Sequence, residues 1–391
     1  MKEKLRSGVM LCLTIVVIMM ASKRMPADTG TCGGVMTTVP FTDVMGNIFF
    51  CQIAEAYLSG LTKGTTSTTY SPSDVVLRDQ MAAFATRTQD SALRRGSRRA
   101  ALEQWATLAV PRATAKTTVG SVPQFVKSDG ADLWVADLSS SDVKRVRASD
   151  GRLLETWTGA TFAYGVLVTQ GRVYVTGDTS PGSPYVIDPT LAPGDVATLS
   201  SSLGNNSVGL ATDGIYIWTT NFLGNSISKV DPVSGATTNI GGFSVPNGIL
   251  FDGANLWITE DGTNTLKKLD SSGGVLQTVD VGANPQYPVF DGSNIWVPNF
   301  NSKSVTVVRV RDGQVLATLT GNGLSSPSQA AFDGEHILVT NVGGRSVSLW
   351  KATDLTAIGT FSTGATSPFG ACSDGINFWI TLESSNQLAR F

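Results

Sequence analysis

A short phrase recurs through the C-terminal two thirds of this sequence: Asp-Gly, then a tryptophan or another apolar residue five positions after the aspartate. The copies begin about 40 residues apart, which is the length of a propeller blade built from four short strands. Five copies keep the tryptophan, a sixth has leucine, and a degenerate copy has tyrosine or valine. The residues at this position are Trp134, Trp218, Trp257, Trp296, Trp379, Leu338 and, in the degenerate copy, Tyr174 or Val175.

The fourth repeat indicates how each copy divides into strands. Apolar segments at 248–252, 255–260, 265–270 and 276–281 are separated by turns rich in glycine, aspartate and serine. The second strands are apolar at consecutive positions, which indicates burial on both faces, as in sheets stacked around an axis. The sequence therefore predicts four-stranded blades.

The ends of the repeat region predict how the ring closes. The last repeat stops at Phe391, after its third strand, whereas residues 115–119 resemble a fourth strand without a blade. Pairing these two segments leaves no open sheet edge at the seam. We predict a mainly all-β fold, a seven-bladed β-propeller over residues 113–391, in which an N-terminal strand closes the last blade.

The repeated tryptophans and aspartates each admit two interpretations. The tryptophans either fill the wedge between blades or stack on a flat ligand, and their aliphatic neighbours favour the core. The aspartates either shape the turn between the first two strands or bind a metal, and their position at a hairpin favours the turn.

Loops entering each first strand and leaving each second strand should form the binding face of the ring. They combine amides and carboxylates with aromatic residues, a composition that suits a protein or glycan partner, although the amides also satisfy turn backbone in such repeats. The candidates on this face are Gln124, Tyr164, Asn221, Asn247, Glu260, Asp261, Gln286, Tyr287, Asn299, Gln329, Asn341, Phe369 and Glu383.

The N-terminus has the composition of a secretory signal peptide over residues 1–22. A basic start precedes an apolar run at 9–20, and cleavage after Ala21 or Ala27 fits the small residues there. The run is short for a membrane span, so we expect an exported chain that does not span the membrane after cleavage. In an oxidising compartment Cys32 and Cys51 are the natural disulfide pair, and closing that loop stabilises the fold by roughly 3 kcal/mol. Cys372 is then a small buried residue.

Residues 30–88 carry a second pattern, with a helical face over 47–61, glycines at 60 and 64, and an arginine-led helix starting near Asp74. They resemble the S-layer homology (SLH) module, a small α-helical unit. The residues that match its outline are Phe41, Asp43, Ile53, Ala54, Gly60, Gly64, Tyr70, Pro72, Val75, Arg78, Met81, Ala82 and Phe84. The resemblance implies attachment to cell-wall polymer or peptidoglycan through Arg78, for which a solvated helix charge is the alternative.

Residues 89–112 form an arginine-rich, helix-compatible linker that ends near Pro111. Its arginines either contact an anionic surface or are simply solvated. The chain as a whole has a formal net charge of −2, which gives no electrostatic footprint for nucleic acid.

The repeat phrase resembles propellers of the NHL, YVTN and streptogramin-lyase group, in which strands end in Thr-Asn or Thr-Glu. Thr220-Asn221, Thr259-Glu260 and Thr340-Asn341 match that ending. The resemblance to the lyases of this group implies metal-assisted elimination with a histidine as general base. The one histidine of the chain, His336, lies beside an Asp-Gly turn instead. We therefore expect a non-catalytic, envelope-associated binding or scaffold protein without cofactor or metal. The alternative is a lyase-like or carbohydrate-acting enzyme at the channel mouth.

Overall fold

The computed structural model describes residues 27–32, 35–58, 62–76, 81, 115–199, 203–364 and 367–391. The chain divides into two compact units, Met1–Arg98 and Arg99–Phe391. The predicted signal peptide, Arg78 and the segment 89–112 lie outside the described residues, so these assignments stay predictions. Within the described part, no helix is long and apolar enough to cross a membrane.

The N-terminal unit combines a β-hairpin with one helix. Strand β1 (Asp28–Cys32) pairs antiparallel with β2 (Val35–Val39), and helix α1 spans Phe50–Leu58. The hairpin was not predicted, and the helix begins at Phe50, three residues later than expected. Ile48 and Phe49, assigned to its apolar face, precede the first helical turn and are 85% and 58% exposed. That part of the predicted face is therefore wrong.

A predicted disulfide and a set of contacts that was not predicted hold this unit together. Cys32 and Cys51 form the expected disulfide, which joins β1 to α1. The Asp43 carboxylate accepts hydrogen bonds from the backbone N–H groups of Tyr70 and Ser71, at 2.9 and 2.7 Å. The Phe41 ring packs against Tyr70 with 5.4 Å between centroids. The segment Phe41–Asp43 is thus in direct contact with the segment that begins at Tyr70.

The C-terminal unit is a seven-bladed propeller of four-stranded antiparallel blades, as predicted. Blades 1 to 4 are β4 Pro123–Ser128, β5 Asp132–Asp137, β6 Asp142–Arg147, β7 Leu153–Thr158; β8 Ala163–Thr169, β9 Arg172–Gly177, β10 Ser183–Ile187, β11 Ala197–Thr198; β12 Ser207–Thr212, β13 Ile217–Asn221, β14 Ser226–Val230, β15 Thr237–Gly241; and β16 Pro246–Phe251, β17 Leu256–Glu260, β18 Thr265–Leu269, β19 Val275–Asp280.

Blades 5 to 7 complete the ring. They are β20 Val289–Phe290, β21 Asn294–Asn299, β22 Ser304–Arg309, β23 Val315–Leu319; β24 Pro327–Phe332, β25 His336–Asn341, β26 Ser346–Lys351, β27 Ala357–Ser362; and β28 Pro368–Ser373, β29 Phe378–Leu382, β30 Gln387–Arg390 with β3 Ala115–Thr118. Strand β3 pairs antiparallel with β30, from Ala115 opposite Arg390 to Thr118 opposite Gln387. The predicted closure by an N-terminal strand is confirmed.

The repeated tryptophans lie between blades, as the core interpretation predicts. Trp134, Trp218, Trp257, Trp296 and Trp379 are all 0% exposed. Each packs against the next blade: Trp379 of blade 7, for example, contacts a cluster that includes Val126 and Leu133 of blade 1. Tyr174 takes the equivalent place in blade 2, because it pairs with Leu167 as Trp134 pairs with Lys127.

In the five blades with a repeated tryptophan, the aspartate of the Asp-Gly turn both shapes the turn and holds the tryptophan. In blade 4, Asp252 Oδ1 accepts the backbone N–H groups of Ala254 and Asn255, and Oδ2 accepts Trp257 Nε1–H at 2.7 Å. The same tryptophan bond, at 2.7 to 2.9 Å, recurs in blades 1, 3, 5 and 7. The turn interpretation is correct, and the aspartate has a second function that it did not include.

Cys372 is the small buried residue that the sequence predicts. It lies on β28 and is 6% exposed, packed with Trp379 and Val135. Burial raises the pKa of its thiol to about 12, so the thiol stays protonated at neutral pH.

Candidate functional site

The first strand of each blade lies next to the axis of the ring. One residue near the start of each first strand occupies an equivalent backbone position. It follows the residue that pairs with the end of the second strand, as Pro123 pairs with Asp137. We call these seven positions the inner ring. Going from blade 1 to blade 7, they are Gln124, Tyr164, Val208, Asn247, Gln286, Ser328 and Phe369.

Four aromatic side chains meet at the centre of the ring. Phe125 packs edge to face on Tyr287 with 4.6 Å between centroids, and lies 5.5 Å from Tyr164 and 5.9 Å from Phe369. The hydroxyls of Tyr164 in blade 2 and Tyr287 in blade 5 are hydrogen bonded across the axis at 3.0 Å. Residues from four blades thus form one aromatic floor.

The two tyrosines of this floor stay neutral over the ordinary pH range. Burial raises the pKa of Tyr164, although the hydrogen bond with Tyr287 opposes the shift, and the charges of Asp178 and Glu383 raise it further. Burial also raises the pKa of Tyr287 well above its usual value. Each hydroxyl therefore remains a donor and an acceptor.

A threonine near the end of the second strand links five of the seven blade junctions. Thr381 Oγ1 accepts the N–H of Gly370 in its own blade at 2.7 Å and donates to the carbonyl of Gln124 in the next blade at 2.7 Å. A Cβ on Gly370 would collide with that carbonyl. The linking residues are Thr176, Thr220, Thr259, Thr340 and Thr381.

The two blades without this threonine supply two of the four floor residues, Phe125 and Tyr287. Blade 1 has Ala136 and blade 5 has Pro298 at the threonine position. The residue facing it, which is glycine in four blades, is Phe125 in blade 1 and Tyr287 in blade 5. Because no threonine bridge requires close backbone approach there, a large side chain is accommodated.

A second set of equivalent positions is the residue that follows each second strand. In all seven blades the N–H of this residue donates to the carbonyl of the residue two positions before the inner-ring residue, at 2.8 to 3.2 Å. We call these positions the mouth ring. They are Leu138, Asp178, Phe222, Asp261, Phe300, Val342 and Glu383, and all are partly buried.

Two mouth-ring carboxylates are held by neutral donors. Glu383 Oε1 accepts Gln124 Nε2–H at 2.7 Å, and Asp178 Oδ1 accepts Asn206 Nδ2–H at 2.7 Å. Burial raises the pKa of Glu383, and the hydrogen bond from Gln124 lowers it in part. The first of these bonds connects the mouth ring to the inner ring across the seam between blades 7 and 1.

Four predicted face residues are inside the blades instead. Asn221, Glu260, Asn299 and Asn341 end their second strands and are 0% exposed. The amide of Asn221 donates to Ser226 and Ser228, and Glu260 accepts hydrogen bonds from Thr263 and Lys267. These side chains bond with side chains of the turn that follows and of the third strand, and they are not accessible on the face.

The other predicted residues occupy inner-ring, mouth-ring or floor positions, or lie next to them. Gln124, Tyr164, Asn247, Gln286 and Phe369 belong to the inner ring, and Asp261 and Glu383 to the mouth ring. Tyr287 lies in the aromatic floor, and Gln329 Oε1 accepts the N–H of Ala371 at 3.0 Å in the neighbouring blade.

The sequence interpretation missed five of the seven mouth-ring residues: Leu138, Asp178, Phe222, Phe300 and Val342. The signal was available, because six of the seven mouth-ring residues lie nine positions after the aspartate of their repeat, and Asp178 lies eight after Gln170 of the degenerate copy. No cluster of three or more histidine, cysteine or acidic residues suited to a metal occurs in the described parts of the chain.

The propeller is similar in fold to several solved structures. A catalytically inactive virginiamycin B lyase from Staphylococcus aureus, solved with quinupristin, gives a TM-score of 0.60 at 15% identity, covering 71% of this chain and 98% of that one. A streptogramin B lyase gives 0.59 at 16%, covering 71% and 96%. The WD40 β-propeller domain of Doa1 gives 0.59 at 14%, covering 72% and 96%. No family model and no curated protein matches the chain. At these identities the likeness is one of fold.

Proposed function

We propose that this chain is an exported binding protein of the cell envelope, and that its propeller holds a protein or glycan partner at the channel mouth. One observation carries the proposal. The residues that build the blades recur from repeat to repeat, whereas the inner and mouth rings place different side chains on equivalent backbone positions. Such a surface gives each blade its own contact with a partner, as binding faces on repeat scaffolds do.

The enzyme alternative has less support. His336, the one histidine of the chain, is the first residue of β25, whereas the mouth ring follows the last residue of that strand. Its Nδ1 lies 3.2 Å from Asp333 Oδ2 in the turn. A general base must reach the proton that it abstracts, and this histidine is at the other end of its strand. Elimination at the mouth therefore rests on fold similarity alone.

The N-terminal unit supplies the envelope attachment in this proposal. The attachment rests on the resemblance of residues 30–88 to the SLH module, in which Asp43 and Phe41 contact Tyr70. Attachment to anionic wall polymer or peptidoglycan would use Arg78, and the signal peptide would deliver the chain to that compartment.

A sedimentation experiment tests the attachment. The mature full chain is incubated with isolated cell walls, and Arg78→Ala is compared with Arg152→Ala, which alters an exposed arginine of the propeller. We expect the wild type and Arg152→Ala to sediment with the walls and Arg78→Ala to remain in solution. Equal behaviour of all three proteins would contradict anchoring through Arg78.

Site-specific cross-linking tests the binding face. A photoreactive residue replaces Phe222 in the mouth ring, and the matched control replaces Ile215, which is 67% exposed in the hairpin before the second strand of the same blade. In native envelopes we expect a discrete cross-linked product from position 222 only. Identical products from both positions would exclude a specific face at the mouth.

A further inference from the structure

The mouth ring has a regular chemical pattern. Acidic and apolar residues alternate around most of it, and none of its seven members is basic: Leu138, Asp178, Phe222, Asp261, Phe300, Val342 and Glu383. The equivalent backbone hydrogen bond in every blade puts these residues at one height around one axis. The mouth is therefore a cup with three carboxylates between apolar walls.

The floor of this cup adds to the negative potential. Tyr164, Tyr287, Phe125 and Phe369 pack with 4.6 to 6.1 Å between centroids. Aromatic faces carry partial negative charge and attract ammonium and guanidinium groups. The aromatic floor and the acidic wall thus favour the same sign of ligand charge.

The three carboxylates have no cationic partner among the described residues. The ion pairs there engage other acids, including Glu260 with Lys267 and Asp132 with Arg145. Asp178 and Glu383 accept hydrogen bonds only from the neutral amides described above. The basic residues of this face, Lys303 and Arg345, are exposed at the turns into the third strands, outside the ring.

A second, independent observation comes from the inner ring. Asn247 and Ser328 are 3% and 1% exposed, and Asn247 Oδ1 and Ser328 Oγ are buried without a hydrogen-bond partner among the described residues. They occupy the positions that in blades 2 and 7 direct Tyr164 and Phe369 to the axis, and they flank Tyr287. Buried polar atoms are normally paired, so these two unpaired oxygens at inner-ring positions indicate a ligand that donates hydrogen bonds.

We propose that the mouth binds an organic cation, a guanidinium or ammonium group carried on an apolar chain. The carboxylates and aromatic faces neutralise its charge, the buried oxygens accept its N–H groups, and the apolar mouth-ring residues contact its chain. This inference rests on the proposed binding function and names the chemistry of its ligand. A free small molecule and the lysine or arginine side chain of a partner protein present the same group.

Calorimetric titration of the full mature chain tests the proposal with matched probes. Butylguanidinium is compared with butylurea, and acetyl-Ala-Arg-Ala-amide with its citrulline analogue, because each pair differs in charge at similar shape. We expect each cation that binds to do so at least about tenfold more tightly than its neutral partner. Tighter binding of the peptide than of butylguanidinium would assign the site to a protein side chain. Tighter binding of butylguanidinium would assign it to a free small-molecule cation.

Isosteric variants locate the site. Asp178→Asn and Glu383→Gln remove charge while keeping an oxygen acceptor, and each should weaken cation binding about tenfold. Glu335→Gln, an exposed acid of a hairpin at the other end of blade 6, should bind as the wild type does. Equal affinity for charged and neutral probes, no heat from any probe up to about 10 mM, or unchanged binding by both mouth variants would overturn the inference. A cross-linked partner at position 222 that is insensitive to both variants would leave the binding function standing and refute cation recognition alone.

Discussion

Asp252 holds a buried tryptophan with one carboxylate oxygen and a turn with the other. Replacing it by alanine leaves Trp257 Nε1–H without an acceptor in a residue that is 0% exposed, and also uncaps the turn. We expect Asp252→Ala to lower the free energy of unfolding by about 2–4 kcal/mol. Urea unfolding followed by tryptophan fluorescence measures the change.

The control separates the tryptophan bond from the turn. Asp270 also accepts backbone N–H groups of a turn, from Ser272 and Gly274, but contacts no tryptophan. Asp270→Ala should therefore cost only about 1 kcal/mol. In addition, Asp252→Ala should cost less in a Trp257→Phe background, because the buried donor is already absent. Equal losses for both aspartates would show that the tryptophan bond contributes nothing.

Asp137 gives the propeller a pH-dependent weakness. It is 0% exposed, and burial together with the charge of Asp142 raises its pKa to about 8. A carboxyl with a raised folded-state pKa stabilises the fold below its unfolded pKa of about 4, and this contribution is lost as pH rises through the folded value. Asn221, Asn299 and Asn341 occupy the same position in other blades, where their amides donate to the third strand.

We expect Asp137→Asn to remove this weakness. Its gain in unfolding free energy should grow between pH 4 and pH 8, reaching roughly 2–4 kcal/mol at the upper end. Asp150→Asn is the control, because a backbone N–H from Arg152 lowers the pKa of that exposed carboxyl, so it titrates below this range. Thermal melts of the three proteins at several pH values measure the difference. A gain independent of pH would show that Asp137 ionises normally in the fold.

At the scale of the element, each threonine bridge joins two neighbouring blades through one hydroxyl. Thr259 Oγ1 accepts the N–H of Gly248 and donates to the carbonyl of Gln286 in the next blade, both at 2.8 Å. Thr259→Val keeps the shape and leaves both backbone groups unpaired, so we expect a loss of about 2–4 kcal/mol in unfolding free energy. Thr278→Val, on the exposed outer strand of the same blade, should change it by less than about 0.5 kcal/mol. Similar values for the two variants would refute the bridge.

The strands could be predicted from sequence, and much of the mouth could not. Consecutive apolar residues around each tryptophan mark a strand buried on both faces, and the blade 4 strands agree with prediction to within two residues. The mouth depends on which side chains meet across the axis. Tyr164 and Tyr287 come from blades 2 and 5, and no local sequence pattern predicts the contact between them. Asn221 and Asn341 are polar residues of the kind expected on a binding face. They are buried, because their amides donate hydrogen bonds to the third strand.

At the scale of the whole molecule, four residues at the N-terminal start of the propeller pair with its C-terminal strand. Strand β3 (Ala115–Thr118) supplies the fourth strand of blade 7, and the adjacent Val119 is 8% exposed in the cluster around Trp379. Replacing 115–118 by Gly-Ser-Gly-Ser removes most of the ladder with β30 and exposes that strand as an edge. We expect the melting temperature to fall by roughly 10 °C, since each kcal/mol of lost stability lowers it by a few degrees in a domain of this size.

The same replacement at residues 190–193, an exposed loop of blade 2, tests whether the effect belongs to the closure. That variant keeps all seven sheets and should melt within about 2 °C of the wild type. The closure variant should also self-associate, because the open edge of β30 presents unpaired backbone groups to a second copy. Calorimetry and sedimentation velocity on the full chain measure both effects. A closure variant that melts with the wild type and stays monomeric would mean that the wedge packing of the tryptophans closes the ring without the strand.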